Sequence, residues 1–208
     1  MKAHTKETQA AISPQNALEL LKEGNKRFVD KSPADRDLLE QVAQTSSGQY
    51  PFATILSCID SRVSAELIFD QGVGDIFSAR VAGNIVNEDI LGSMEFACKL
   101  AGTKIIVVLG HTACGAVKGA CDDAKMGNLT ELLSKIKPAV NAVAEPSDAS
   151  ARTSANIDFV NNVAETNVRL TMDNIRTQSP VLKEMEDNGE ILIVGGMYDI
   201  NNGVVSYM

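Results

Sequence analysis

No run of apolar residues in this 208-residue chain approaches the ~20 needed to cross a bilayer, and the opening "MKAHTKETQAAISPQ" lacks the apolar centre of a secretory signal. A membrane partner is therefore not expected, and the cytoplasm is the expected location. Basic charge is also scarce: 19 Lys and Arg stand against 27 Asp and Glu, for a formal net charge of -8. Such a surface repels phosphate backbones, so nucleic acid is not expected as a partner. There are only four cysteines, Cys58, Cys98, Cys114 and Cys121. In a reducing compartment they read as metal ligands, reactive thiols or core residues rather than as two disulfides. Their spacings match no disulfide framework, which argues against a disulfide-stabilised binding module. Internal repeats and low-complexity blocks are missing as well. What is present is ordinary globular usage, 44% hydrophobic and 22% charged, at a length that suits one domain over 1–208.

Residues 1–12 are polar and read as loose, and residues 13–45 as an N-terminal helical arm. Ser13 is placed to cap a helix whose first residue is Pro14, with Ala17, Leu18, Leu21 and Phe28 at helical spacing, and a second short helix is expected near Asp35 to Gln44. Then "PFATILS" opens the first apolar run, too short for a buried helix and rich in strand formers. "ELIFDQG" predicts a short helix, "DIFSARV" a strand, "DILGSMEFACKLAG" a helix closed by Gly102, and "KIIVVLG" a buried strand. Two long helical stretches follow, "NLTELLSKIKPAVNAVA" and Ile157 to Glu186, before the strand "EILIVGGMYD" and a terminal "GVVSYM" that suits a sheet edge. Strands alternating with helices predict an α/β fold, a mostly parallel sheet with helices on both faces.

In such a sheet, functional groups collect beyond the carboxyl ends of the strands. "FATILS" delivers Cys58 there and "KIIVVLG" delivers His111, with Cys114 three positions further on. Two thiolates and an imidazole suit Zn2+ and leave a tetrahedral ion one open position. On spacing alone, two small buried thiols beside a hydrogen-bonded histidine fit equally well. Asp60 and Arg62, two apart, project to one side in extended backbone, where the guanidinium fork can hold the carboxylate. That pair is either a structural ion pair fixing the loop or a carboxylate held beside the metal to accept a proton; rotated off Arg62, Asp60 becomes a fourth ligand.

With Cys58-x-Asp60-Ser61-Arg62 and His111-x2-Cys114-Gly115 in place, the sequence resembles the β-class carbonic anhydrases. "GDIFSARVAGNIV", "SMEFA" and "IRTQSPVLKEMEDNGEILIVGGMYDINNGVV" extend the resemblance from about Ala17 to Val205. It implies Cys58, His111 and Cys114 as zinc ligands, Asp60 and Arg62 as a catalytic dyad, and zinc-dependent conversion of carbon dioxide to bicarbonate. Gln49, nine residues before Cys58, resembles the plant-type branch, whose equivalent amide meets substrate or bicarbonate across a dimer interface. Phe77, Phe96, Ala82 and Gly115 resemble the substrate cleft, although without the family the first three are ordinary core residues and Gln49 a surface group. The bicarbonate-regulated branch carries Trp three residues before the first Cys; here that residue is Ile55 and the chain has no Trp, although Arg80 matches another part of that pattern. The family further implies homodimers or homotetramers.

Two thiolates make a weaker Lewis acid than three imidazoles, so activity is expected to rise towards alkaline pH. Apart from His111 only His4 is present, so proton export is expected to depend on water or buffer. Cys98 and Cys121 read as packing thiols. The competing readings are a carbonyl sulfide or carbon disulfide hydrolase on the same scaffold, and a non-catalytic zinc protein or thiol sensor closed by Asp60.

Overall fold

A computed structural model describes residues 1–208. Its strands are Ala53–Ser57 (β1), Ile76–Arg80 (β2), Ile105–His111 (β3), Leu192–Tyr198 (β4) and Val205–Tyr207 (β5). They form one sheet in the order β2-β1-β3-β4-β5, parallel throughout except for the antiparallel edge strand β5. Every residue of β1 and β3 is buried, as their unbroken apolar sequences require of strands covered on both faces. Side chains alternate between those faces. Ile55, Ile105, Val107 and Leu109 pack with Ala17, Leu21, Ile68 and Phe69 on one side. Leu56, Ile106 and Val108 pack with Met94, Val168, Ile175 and Leu182 on the other. The α/β architecture expected from the alternation of elements is therefore present.

The helices are Lys6–Ala10 (α1), Pro14–Val29 (α2), Leu38–Thr45 (α3), Ala65–Ile68 (α4), Glu88–Glu95 (α5), Gly115–Cys121 (α6), Gly127–Ser134 (α7), Lys137–Ala142 (α8), Ile157–Gln178 (α9) and Pro180–Asp187 (α10). None is long and apolar enough to cross a membrane. Helix α9 lies close on β3 and β4 because Gly110 and Gly195 leave space there. A Cβ on Gly110 would come within 2.6 Å of Val168, and one on Gly195 within 2.7 Å of the same side chain.

Several boundaries differ from those read in the sequence. Residues 1–12 are not a loose tail: Thr5 and Thr8 form a capping box for α1. The buried Gln9 amide donates to Pro51 O at 2.6 Å and Ala101 O at 2.8 Å. A five-residue helix anchored by a polar side chain has no hydrophobic period to detect. Asp37 caps α3, so that helix starts three residues later than expected. The expected helix from Asn128 divides into α7 and α8, since Pro138 lacks the N–H that would continue the first. Likewise Pro180 ends α9, and Ser179 caps α10 by accepting from Leu182 N. Beyond α5 the chain widens into a π-helical turn over Phe96–Leu100 and then closes at Gly102, φ 83°, as expected.

The arm is fastened by charge. Asp70 receives Arg27 of α2 at 2.5 Å, Arg36 at 2.6 Å and the Ala34 N–H at 3.1 Å. Burial pushes the Asp70 carboxyl up, but the two guanidiniums and the amide together hold it below the usual carboxylate range. Because the folded pKa is depressed, this stabilisation is present above the ordinary value near ~4 and is lost as pH falls through the folded pKa. Asp70 also has φ 45°, which Asn tolerates equally well, so Asp70→Asn isolates the charge. Chemical denaturation at pH 7 is expected to show a loss of about 2–4 kcal/mol that narrows on acidification; a pH-independent difference would contradict this assignment.

Candidate metal centre

Strand pairing brings together two residues far apart in sequence. Ser57 pairs with Leu109, and the chain then delivers Cys58 directly after β1 and His111 as the last residue of β3. A two-residue turn through Thr112 and Ala113, the latter at φ 54°, returns the chain so that Cys114 caps α6. Cys58 Sγ, His111 and Cys114 Sγ therefore lie with their ligand atoms all within 4.8 Å of one another, and all three residues are buried. The two sulfurs are 4.0 Å apart.

The tautomer of His111 follows from its neighbour. Nδ1 lies 3.0 Å from Thr112 O, which can only accept, so Nδ1 donates and Nε2 carries the lone pair. That Nε2 is buried without a hydrogen-bond partner. The donor set fits zinc: bonds of ~2.3 Å to sulfur in a tetrahedron place two sulfurs ~3.8 Å apart, close to the separation here. The orphaned nitrogen is available as a third ligand atom. Contact with Cys114 lowers the Cys58 thiol below its ordinary range despite burial, with help from His111 and the Gly83 N–H. The same contact and burial raise Cys114, so the two sulfurs share one proton.

Asp60 stands beside this group with Oδ2 4.0 Å from His111 Nε2. It does not pair with Arg62 through extended backbone as the spacing suggests. The chain turns, with Val63 N donating to Asp60 O at 2.9 Å. Within that turn Arg62 grips the carboxylate with Nε to Oδ1 at 2.9 Å, Nη2 to Oδ2 at 2.8 Å and its backbone N–H to Oδ1 at 3.0 Å. These hydrogen bonds from Arg62, outweighing burial, hold Asp60 well below the usual carboxylate range. Arg80, at the end of β2, donates Nε to Cys58 O at 3.0 Å and Nη2 to Asp60 O at 2.7 Å, fixing the backbone of the motif from the next strand. The Gly83 N–H donates to Cys58 Sγ at 3.4 Å.

The other sequence candidates divide. Ala82 begins the 3-10 turn that contains Gly83, and Gly115 follows Cys114 as the first residue of α6, so both border the cluster. Phe77 and Phe96 are elsewhere: their rings meet edge to face at 6.2 Å and line a cavity of about 530 Å³ with Thr54, Ala79 and Met94. Phe96 is half exposed rather than a core residue. Gln49 is exposed and precedes the amino end of β1, whereas Cys58 follows its carboxyl end. His4 packs edge to face on Phe52, also at the amino end. Cys98 and Cys121 are buried, and burial pushes each thiol up to about 11. Ile55 is a core residue. The sequence reading missed what Arg80 and Gly83 do here; a cation ending a strand and a glycine after it carry no signal until the strands are paired.

The carbonic anhydrase family model matches residues 53–205, from β1 into β5. Carbonic anhydrase 2 of Mycobacterium tuberculosis is 36% identical over 192 residues, covering 92% of this chain and 91% of that protein. Among solved structures, the β-carbonic anhydrase CcaA superposes with a TM-score of 0.70 at 26% identity, over 93% of this chain and 90% of that one. A tetrameric β-carbonic anhydrase of Sordaria macrospora superposes at 0.68 and 24% identity, over 81% and 89%. The chain belongs to the β-class carbonic anhydrases, a family of lyases whose general reaction is the hydration of carbon dioxide.

Gly83 sits at φ 72°, and an added Cβ would come within 2.5 Å of Ile136 Cδ1. Gly83→Ala is expected to destabilise the fold by about 1–3 kcal/mol in urea titration. An unchanged midpoint would show that the turn is free to relax.

Proposed function

We propose that this protein catalyses the reversible, zinc-dependent hydration of carbon dioxide to bicarbonate and a proton. Cys58, His111 and Cys114 hold the ion, and Asp60 and Arg62 form the catalytic dyad. The observation that carries this reading is the buried group of two sulfurs and one unpartnered imidazole nitrogen, with an arginine-held carboxylate at its edge. A bound zinc ion supplies Lewis acidity, which lets water lose its proton near neutral pH.

The chain's own groups supply the rest. Asp60 is ionised throughout the neutral range, so Oδ2 acts as a hydrogen-bond acceptor that takes the proton side of the reacting water and turns its lone pair towards carbon. Arg62 keeps that carboxylate from swinging onto the ion. With both oxygens engaged by Arg62, the geometry favours a working enzyme over a sensor closed by Asp60. Ala82 has a small side chain and Gly115 none, so both leave room for a linear, apolar substrate at the border of the reaction space.

Gln49, Phe77 and Phe96 belong to the substrate pocket in this reading only if a second copy brings them to the cluster. Their separation from it within one chain supports a homodimer, or a homotetramer like that of the Sordaria relative. Ile55 in place of Trp supports the plant-type branch. Four free thiols support the cytoplasm.

Carbon dioxide hydration and zinc content measured together test the proposal. Asp60→Asn is expected to keep zinc and lose turnover by about 10²-fold or more. Cys114→Ser is expected to lose both. Zinc-loaded Asp60→Asn with full hydration activity would sink the dyad. Turnover should climb towards alkaline pH and with buffer concentration, since His4 lies at the far end of the sheet. A flat profile from acid to neutral pH would contradict the ligand assignment, and carbonyl sulfide or carbon disulfide turning over in place of carbon dioxide would transfer the site to the other substrate class.

A further inference from the structure

The loop that carries Cys114 and the turn that donates an N–H to Cys58 are both held by one helix. Each contains a residue in left-handed backbone, Gly83 at φ 72° in the turn after β2 and Ala113 at φ 54° immediately before Cys114. An alanine does not adopt that conformation cheaply. Helix α9 meets each loop with an asparagine. Asn161 Oδ1 accepts from the Ala113 N–H at 2.8 Å, and Asn167 Nδ2 donates to Gly83 O at 2.8 Å. The peptide N–H of Gly83 in turn donates to Cys58 Sγ.

The two amides work with opposite polarity. The Ala113 N–H is a donor, so Asn161 must present its oxygen; the Gly83 carbonyl is an acceptor, so Asn167 must present its nitrogen. Asn167 is 3% exposed, which means no water replaces its nitrogen if it is lost. Neither residue reaches the sulfurs. Each fixes the backbone that aims a sulfur or the N–H donated to one.

We propose that Asn161 and Asn167 are positioning residues of the metal centre, through which α9 sets the directions of Cys114 and of the N–H donated to Cys58. This rests on the assignment of Cys58, His111 and Cys114 as zinc ligands. It adds that zinc affinity depends on two side chains remote from the ion and of opposite hydrogen-bonding sense.

Replacement by aspartate, nearly isosteric but unable to donate when ionised, separates positioning from packing. Zinc affinity is read by competition with a chelator, and ligand geometry by the sulfur-to-cobalt charge-transfer band of the cobalt-substituted protein. Asn161→Asp keeps the acceptor and is expected to bind zinc like the wild type, whereas Asn161→Ala weakens it. Asn167→Asp is expected to weaken zinc by about 10–100-fold, the usual effect of losing a group that orients a ligand, and to shift the cobalt band. If Asn167→Asp does not fold, Asn167→Ala in the same two measurements is expected to show the same loss. Asn162→Asp, an exposed neighbour on α9, serves as the control. Equal responses of Asn161→Asp and Asn167→Asp, or wild-type zinc affinity in both alanine variants, would overturn the proposal while leaving the metal site standing. A wild type that takes up no zinc would overturn the site assignment itself.

Discussion

Everything chemical in this molecule depends on the side-by-side pairing of β1 and β3. The two strands run parallel and in register, so their carboxyl ends reach one level, and the residues that follow meet there although 53 positions separate them. Both strands are central and fully buried. The cluster residues therefore inherit the rigidity of the best-packed part of the fold, and the loops need only turn tightly to complete the group.

Charge at the centre is balanced in layers. Two sulfurs lie 4.0 Å apart and a carboxylate oxygen 4.0 Å from the imidazole beside them, so negative charge gathers in a poorly solvated pocket. Arg62 answers the carboxylate directly, and the Gly83 N–H answers one sulfur. Arg80 binds the carbonyls of the loop instead of its side chains. Thr112 O accepts from His111 Nδ1, which leaves Nε2 turned towards the cluster with no hydrogen-bond partner. A divalent ion bound here would displace the proton that the two sulfurs share.

Much of this was readable before folding. Short apolar runs gave the strands, Ser13 and Pro14 the start of α2, and the Cys-x-Asp-x-Arg and His-x2-Cys spacings pointed to the cluster, because those signals are local or periodic. What escaped is what depends on tertiary contact. Helix α1 is held by Gln9 through two carbonyls distant in sequence, which no hydrophobic pattern records. Pro138 and Pro180 sit inside helical periods and divide them. The Asp60–Arg62 pair was anticipated through the wrong backbone: a turn, not extension, brings the groups together. Asn161, Asn167 and Arg80 look like ordinary polar residues until the elements that carry them are stacked.

Arg80 has one further effect. It stands at the end of an edge strand, the element of a sheet least constrained by neighbours. A one-residue slip of β2 against β1 would turn the guanidinium to the opposite face and release both carbonyls it holds. Alignment of the outermost strand is thus recorded at the Cys58–Arg62 loop, and a molecule that zips this margin one step out of place carries its error to the Cys-His-Cys cluster.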